Sequence, residues 1–415
     1  METIIIATGI ECSYPKVQGG KRRDQLEETR HYQHWREDFE LCKEIGARFV
    51  RYGPPYYRIH TGPHKYDWSF TDEVLPVMRE LELIPIVDLC HFGIPDWAGD
   101  FQNNDWSFLF ADYAEAFARR YPWITYYTPV NEILVCARFS AQAGIWNEQL
   151  KSDRAMVRAH GNMCSATLHA IEHILKVRPD AVFFQSETAE VFLERWPATR
   201  RDVQFKNQLR FITFDFLYGH EVNGDVLMFL MDNGVSREDY RSTLEYGRRF
   251  GPHCVMGLDY YTENERIIEP DGRERPVGPL LGWHTIANQY YQRYRKPMML
   301  TETNIADPER APEWLWNIWH NQECLRAEGV PVIGYTWYSL QDQVDWDIQL
   351  REIRGKVTPN GLFTLERKRR PVATAFRELC ERYANLPVVG SFPVGGMQGP
   401  PSQVSVQEKI ETQVN

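Results

Sequence analysis

The stretch Tyr127-Thr128-Pro129-Val130-Asn131-Glu132 places an amide and a carboxylate at the end of an aromatic and β-branched run. That run, at 123–128, is typical of a buried strand. A carboxylate facing a core is unfavourable unless it is exposed or has a partner. The stretch Pro297-Met298-Met299-Leu300-Thr301-Glu302 has the same form, an apolar strand that ends in a glutamate. If both strands belong to one barrel, the two glutamates converge on one mouth.

Strand-like and helix-like segments alternate along the whole chain. The patterns predict strands at 3–8, 47–52, 84–89, 124–130, 181–186, 254–259, 298–302 and 332–337. They predict helices at 31–45, 71–81, 107–121, 152–178, 283–294, 313–328 and 372–383, with Thr71, Ser107 and Ser152 as N-caps. Eight strand–helix units predict an α/β fold, a (β/α)8 TIM barrel. The polar segment 219–251 has no clear pattern, and an elaborated loop over the mouth is one interpretation.

We expect a single catalytic domain over residues 1–385, since no domain-length linker interrupts the alternation. Residues 386–415 are rich in Pro, Gly, Gln, Ser and Val, and they predict a flexible or loosely docked C-terminal tail.

Composition excludes several classes of partner. A formal net charge of -10 without a long basic stripe disfavours nucleic acid, and no apolar run is long enough to span a membrane. Eight cysteines without CxxC pairs favour reduced thiols and a cytoplasmic location. The 13 tryptophans and 21 tyrosines suit a protein that stacks sugar-like ligands, although core packing could absorb many of them. The oligomeric state stays open.

Polar or aromatic side chains stand at or just after the end of every predicted strand. Because a TIM barrel carries its chemistry at these ends, we expect an open, charged pocket there. Its candidate residues are Glu11, Arg51, His91, Phe92, Asn131, Glu132, Glu187, Tyr261, Glu302, Trp337, Asp345 and Trp346.

Two facing carboxyl groups are the minimal equipment for cleaving a glycosidic bond. Arg51 and the hydroxyl of Tyr261 would favour the charged form of Glu302, which suits a nucleophile. Glu132 lies among aromatic residues, where desolvation would raise its pKa, and this suits a general acid/base. Asn131 could then bind a ring hydroxyl next to the reacting carbon.

Each of these residues also has a structural interpretation. Glu132 could cap the next helix, and Glu302 could accept backbone N–H groups. Arg51 fits a simple barrel ion pair, and a lone histidine such as His91 is more often a satisfied core residue. Glu187 fits either a substrate contact or an ion pair with an arginine.

No cofactor or metal is expected. The pairs His31/His34 and His169/His173 have helical spacing but lack the His-Glu-x-x-His order of zinc proteases, so solvated helix faces are favoured. No glycine-rich stretch matches a phosphate-binding loop.

With these residues laid out, the chain resembles the family 1 glycoside hydrolases, retaining (β/α)8 enzymes of the β-glucosidase type, from about residue 7 to 383. Thr128-Pro-Val-Asn-Glu132 resembles the family's acid/base motif Thr-Phe-Asn-Glu-Pro, and Leu300-Thr-Glu302-Thr-Asn resembles its nucleophile motif Ile-Thr-Glu-Asn-Gly. Phe49-Val-Arg51-Tyr is similar to the Tyr-Arg-Phe segment whose arginine approaches the nucleophile.

Three further segments carry the same resemblance. Leu89-Cys-His91-Phe-Gly-Ile-Pro95 is similar to Tyr-His-Trp-Asp-Leu-Pro, whose histidine binds the sugar, and Gly257-Leu-Asp-Tyr-Tyr261 is similar to Gly-Leu-Asn-Tyr-Tyr. Residues 335–346 are similar to the Trp-Ser-Leu-Leu-Asp-Asn-Phe-Glu-Trp segment. The resemblance implies a retaining β-glycosidase without cofactor that acts on a glycoside. It assigns catalysis to Glu132 and Glu302, and substrate binding to Glu11, Arg51, His91, Asn131, Tyr261, Trp337, Asp345 and Trp346.

The departures from the family pattern concern the wall that contacts the sugar. Glu11 replaces a glutamine, Phe92 a tryptophan and Asp345 a glutamate, and Tyr338 stands where a tryptophan forms the pocket floor. Ile133 replaces the proline after the acid/base motif, and Thr303-Asn304 replaces Asn-Gly. Glucose specificity therefore stays open. The alternatives are a transglycosidase that uses the same two glutamates and a non-catalytic carbohydrate-binding relative.

Overall fold

In the computed structural model, which describes residues 3–388, eight parallel strands close into a barrel. Each strand pairs with the next one in sequence, and the last pairs with the first. The strands are β1 (Ile5–Ile10), β2 (Phe49–Tyr52), β3 (Ile84–Asp88), β4 (Tyr126–Thr128), β5 (Val182–Thr188), β6 (Cys254–Asp259), β7 (Met298–Glu302) and β8 (Val332–Tyr338). All eight predicted strands are confirmed. β4 is shorter than predicted, and it ends where Pro129 has no N–H to donate to a neighbouring strand.

Eight longer helices lie outside the barrel. Each connection between strands contains one of them, some together with shorter helices, and one follows β8. The eight longer helices are α1 (His31–Glu44), α2 (Ser69–Glu80), α3 (Trp106–Arg120), α4 (Asp153–Val177), α5 (Arg237–Phe250), α6 (Gly282–Tyr294), α7 (Ala311–Ala327) and α8 (Pro371–Tyr383). The predicted cap Ser152 accepts a hydrogen bond from the N–H of Ala155. The other two predicted caps are wrong, because Thr71 and Ser107 lie inside α2 and α3.

The segment 219–251 differs from the loop interpretation. It forms a helix at Gly224–Asp232 followed by α5, which packs against α4 and the helix Ile212–Tyr218 outside the barrel. Residues Tyr240, Leu244, Gly247 and Phe250 form its buried stripe, while charged residues cover the rest of the helix. A Cβ on Gly247 would come within 2.1 Å of the carbonyl oxygen of Phe216, so only glycine permits this packing.

Short strands and short helices lie in the connections between the barrel elements. Val191–Leu193, Glu265–Ile268 and Glu274–Pro276 form a three-stranded sheet beyond the ends of β5 and β6. Strand pairs form at Lys16–Val17 with Lys21–Arg22, His60–Gly62 with Lys65–Tyr66, and Gln343–Val344 with Val357–Thr358. Short helical segments are Gln18–Gly20, Gln25–Glu28, Tyr56–Ile59, Asp96–Ala98, Ile133–Ala137, Arg138–Gln142, Pro197–Thr199, Arg200–Leu209, Gly251–His253 and Trp346–Ile348.

Two of the hydrophobic clusters in residues 3–388 support the strand ends. One cluster contains barrel-strand residues such as Ile5, Phe184, Val255 and Met299, and a larger one fills the space between strands and helices. Residues at interior packing density move little, so the strands are a rigid support for side chains at their ends.

The first residues of the predicted tail, 386–388, contact the rest of the domain. Ile4 donates its N–H to the carbonyl oxygen of Leu386, and Arg326 donates to that of Pro387. The remainder of the predicted tail, 389–415, lies outside the described residues. Within residues 3–388, no helix combines the length and the apolar character that crossing a membrane requires.

Candidate active site

A cavity of about 980 Å³ opens at the carboxyl ends of the barrel strands. A volume of this size is typical of small-molecule binding sites. Seven candidates from the sequence lie on its wall: Glu11, His91, Phe92, Glu132, Tyr261, Glu302 and Trp346.

Glu302 is the last residue of β7, and both of its carboxylate oxygens are held by donors. Arg51 donates to Oε1, and the hydroxyl of Tyr261 donates to Oε2 at 2.6 Å. The side chain is buried, with 4% of the residue exposed. These are the partners expected from the sequence, and a cation with a donor hydroxyl favours the ionised carboxylate.

Arg51 extends this network across the barrel. Its Nη2 donates to Asp88 at 2.8 Å and to Oδ1 of Asn131. His91 is held by the same groups, since its Nδ1 lies 2.8 Å from Asp88 and its Nε2 lies 3.1 Å from the side-chain nitrogen of Asn131. The network therefore ties the ends of β2, β3, β4 and β7 together and fixes the orientation of the His91 ring.

Asn131 takes part in this network with both ends of its amide. It is fully buried and does not lie on the cavity wall. In this structure its amide bonds to Arg51 and His91. The contact with a ring hydroxyl expected from the sequence stays a prediction.

Glu132 has a very different environment. Its backbone lies in the left-handed region, with φ at 40°, which is unfavourable for a residue with a side chain. It precedes the helix Ile133–Ala137 but makes no capping hydrogen bond, so the cap interpretation is wrong. Burial first, and then the carboxyl groups of Asp259 and Glu302, raise the pKa of Glu132 well above its usual value. A raised pKa suits a general acid.

The two glutamates lie close together. One carboxyl oxygen each of Glu132, Glu302 and Asp259 lies within 4.8 Å of the other two. A spacing near 5 Å leaves no room for a water molecule between nucleophile and acid.

Glu187 supports the segment that carries Glu132. Its Oε2 accepts hydrogen bonds from the N–H of Leu134 at 2.9 Å and from the hydroxyl of Thr213 at 2.7 Å. It forms no ion pair with an arginine in the described part of the chain and is absent from the cavity wall. Burial raises the pKa of Glu187 to about 7.

Like Arg51, Asn131 and Glu187, the candidates Asp345 and Trp337 lie off the cavity wall. The substrate contacts expected of these two residues stay predictions. Asp345 is buried, accepts hydrogen bonds from the backbone N–H groups of residues 354, 355 and 356, and pairs with Arg23 at 3.0 Å. Trp337 is also buried and donates its indole N–H to the carbonyl oxygen of Asn360. Both side chains hold the loops after β8 in place.

Glu11 is buried at the edge of the cavity. Its carboxylate accepts hydrogen bonds from the N–H of Ser13 at 2.9 Å and from the side chain of Gln343 at 2.7 Å. Burial raises the pKa of Glu11 above its usual value.

Other residues of the site were not among the strand-end candidates, although the family resemblance places Tyr338 at the pocket floor. The ring of Tyr338 lines the cavity and stacks parallel to His91, with centroids 6.1 Å apart. It ends β8 one residue beyond the predicted strand, at the position that the resemblance assigns to the pocket floor. Asp88 ends β3 and could have been found from its position at the strand end. Arg138, Glu190 and Glu274 form ion pairs on the outer wall, and no spacing in the sequence indicates them.

Comparisons with known proteins agree with this architecture. Residues 14–237, more than half of the chain, match the sequence model described as Glycosyl hydrolase family 1. The matched region contains Arg51, His91 and Glu132 and ends before Glu302.

Among curated relatives, the chain is 23% identical over 373 residues to β-glucosidase A of Thermotoga maritima, covering 76% of this chain and 78% of that protein. It is also 23% identical over 376 residues to an aryl-phospho-β-D-glucosidase of Bacillus subtilis, covering 76% and 77%. The solved structure of the β-glucosidase from Thermotoga maritima in complex with deoxynojirimycin superposes with a TM-score of 0.76 at 17% identity, over 92% of this chain and 99% of that one. The chain therefore belongs to glycosyl hydrolase family 1 and is a glycoside hydrolase.

Proposed function

We propose that this glycoside hydrolase cleaves β-glycosides with retention of configuration, through a covalent glycosyl-enzyme. The observation that carries the proposal is the pair Glu132 and Glu302, whose carboxyl oxygens lie within 4.8 Å of each other in opposite environments. Carboxyl groups about 5 Å apart suit direct attack by one of them, whereas inverting enzymes need about 6.5–9.5 Å to admit water. The β configuration is inferred from the relatives that are β-glucosidases.

In the first step, an oxygen of Glu302 attacks the anomeric carbon while the bond to the leaving oxygen breaks. Glu132 gives its proton to that oxygen, so the aglycone leaves as a neutral alcohol. Arg51 and Tyr261 hold the attacking carboxylate in its ionised form until it becomes an ester.

In the second step, Glu132 is ionised and takes a proton from water. The resulting hydroxide attacks the anomeric carbon, and Glu302 leaves as a carboxylate again stabilised by Arg51. Protons and charges balance over the cycle, and no cofactor takes part in it.

The pocket residues support a sugar as the bound ring. His91, Tyr338 and Trp346 present aromatic faces or edges to the cavity, and Glu11 offers acceptor oxygens for hydroxyl groups. Aromatic faces with a few directed polar groups are a common arrangement for amphipathic ligands such as sugars.

The test is to trap the intermediate with an aryl 2-deoxy-2-fluoro-β-glycoside. We expect loss of activity together with a mass increase equal to one fluoroglycosyl group on the peptide that contains Glu302. Glu302→Gln should not be labelled. Labelling of a different residue, or an initial product of inverted configuration, would overturn the proposal.

Product analysis separates hydrolysis from transglycosylation. With added methanol or sugar acceptors we expect water to remain the main acceptor at low acceptor concentration. Glycosyl transfer as the main product under those conditions would make the enzyme a transglycosidase with the same first step.

We also propose that the protein acts in the reducing cytoplasm. All eight cysteines are free thiols and seven of them are buried, an arrangement typical of reducing compartments. Thiol titration of the unfolded protein purified without reductant should find eight thiols, and fewer would contradict the proposal.

A further inference from the structure

The active site contains a third carboxyl group that the two-glutamate mechanism does not use. Asp259 is the last residue of β6 and lies directly beside Glu302 in the register of β6 and β7. It is fully buried, and one of its oxygens lies within 4.8 Å of oxygens of both Glu132 and Glu302.

Two hydroxyl groups act on the carboxyl group of Asp259. That of Thr301 lies close enough to lower the pKa of Asp259 but has no hydrogen-bond partner in residues 3–388. The hydroxyl of Ser186 donates to Oδ2 at 2.6 Å. Within residues 3–388, Oδ1 is buried and has no hydrogen-bond partner. A buried carboxylate oxygen without a donor is costly, whereas a protonated oxygen removes the charge and supplies a donor.

The guanidinium of Arg51, which lies near these carboxyl groups, is already engaged. Arg51 donates to Glu302 and to Asp88, and its charge is divided between them. Besides Arg51, the charged or titratable groups around Asp259 are Glu302 on β7, Glu132 after β4 and Tyr261 after β6, and Glu187 lies on the neighbouring strand β5. His91 after β3 also acts on Glu132 and lowers its pKa. The guanidinium of Arg51 and the imidazole of His91 are both already paired with Asp88, so they do not neutralise three further carboxylates in a low-dielectric site.

We propose that Asp259 is a positioning residue that carries a proton in the resting enzyme. Its later ionisation raises the pH up to which Glu132 stays protonated. The inference rests on the proposed function, since it assigns Glu132 as the acid. The resting site then holds two protons, on Glu132 and Asp259, and one charge, on Glu302.

The two protons leave in coupled steps. When Asp259 ionises first, its new negative charge lies close to Glu132 and disfavours a second ionisation, so Glu132 keeps its proton and remains an acid. Burial, followed by the charge of Glu302, raises the pKa of Asp259 well above its usual value, which agrees with this picture. Asp259 thus extends activity toward higher pH without touching the substrate.

The test is the pH profile of kcat/KM for Asp259→Asn. The amide has the shape of the protonated carboxyl group, can still accept from Ser186, and cannot ionise. We expect the basic limb to move to lower pH by about one unit or more. The acid limb should stay in place because Asp259 is neutral there.

Either of two outcomes would overturn the proposal. An unmoved basic limb would show that Asp259 does not act on Glu132. An acid limb that moves to lower pH would show that Asp259 is already ionised in the resting enzyme. Asp215→Asn is the matched control, because Asp215 is a buried carboxyl group whose pKa is raised to about 6 by burial, and it pairs with Arg293 outside the barrel. It should leave both limbs unchanged.

Infrared difference spectroscopy provides a measurement that does not depend on turnover. A titration of the wild-type protein should show the C=O stretch of a protonated carboxyl group that is absent from Asp259→Asn. If the proposed function failed and no glycoside were cleaved, this band would still decide the state of Asp259. If Asp259→Asn did not fold, Ser186→Ala should move the band to higher pH, since it removes a bond that favours the charged form. A band that stays in place in Ser186→Ala would count against the proposal.

Discussion

The ends of β7 and β4 deliver the two glutamates in opposite ways. Glu302 is the last residue of a regular strand and has a donor on each oxygen, one of them a guanidinium. Glu132 lies beyond a strand of three residues, in a left-handed conformation, with its side chain facing other carboxyl groups. One barrel can therefore stabilise a charge at one strand end and a proton at another, because the partners across the mouth differ while the scaffold is shared.

The largest effect should come from removing the charged carboxylate of Glu302. Glu302→Gln keeps the size of the side chain but removes the nucleophile, and we expect kcat on an aryl β-glycoside to fall on the order of 10⁵-fold. Added azide should restore turnover of the variant and give an azide product of inverted configuration, since it takes the place of the carboxylate. Glu313→Gln, at an exposed position on α7, is the control and should behave like the wild type. Activity of Glu302→Gln within tenfold of the wild type would remove Glu302 from its role.

A smaller and more selective effect should come from removing the proton donor, Glu132. Glu132→Gln cannot donate a proton, so hydrolysis of glycosides with poor leaving groups should slow by about 10³-fold. Formation of the glycosyl-enzyme from a dinitrophenyl glycoside should change little, because that leaving group needs no proton. Pre-steady-state release of dinitrophenol measures this step. Equal losses for both classes of leaving group would contradict the assignment of Glu132 as the acid.

The residues at the strand ends could be predicted from the sequence. Each barrel strand is a short apolar run followed by a polar residue, and closure of the barrel brings such ends together whatever lies between them in the chain. The contacts of Glu302 with Arg51 and Tyr261 followed from strand-end positions alone. The low exposure of Glu132 likewise followed from the apolar run before it.

Residues on long loops could not be placed in this way. Asp345 lies seven residues beyond β8, and its orientation is decided by Arg23 and by backbone N–H groups at 354–356. Nothing in the spacing of the sequence indicates those partners. The segment 219–251 was missed for a different reason, since charged residues surround the buried stripe of α5 and obscure its period.

The smallest effect concerns the support beneath Glu132. Glu187 accepts the N–H of Leu134 and so stabilises the turn that presents Glu132. Burial raises its pKa from 4.5 to about 7. The folded protein therefore binds more protons than the unfolded chain between these values, and the contribution of Glu187 to stability is fully present below pH 4.5 and is lost as the pH rises to about 7. The loss amounts to about 3 kcal/mol.

Glu187→Gln cannot ionise, so its unfolding free energy should fall less than that of the wild type between pH 4.5 and 7.5, as measured by urea denaturation. Glu148→Gln is the matched control, because burial also raises the pKa of Glu148 to about 7, but this residue bonds to Gln102 away from the cavity. Both variants should flatten the stability profile, and only Glu187→Gln should alter kcat, by about tenfold or less, because only Glu187 supports the turn that carries the acid. A stability difference that grows in favour of the wild type as the pH rises would mean that the hydrogen bonds from Leu134 and Thr213 outweigh burial. Hydrogen bonds would then stabilise the end of β4 as they stabilise the end of β7. Glu132 and Glu302 would differ only in the carboxyl groups that lie next to them.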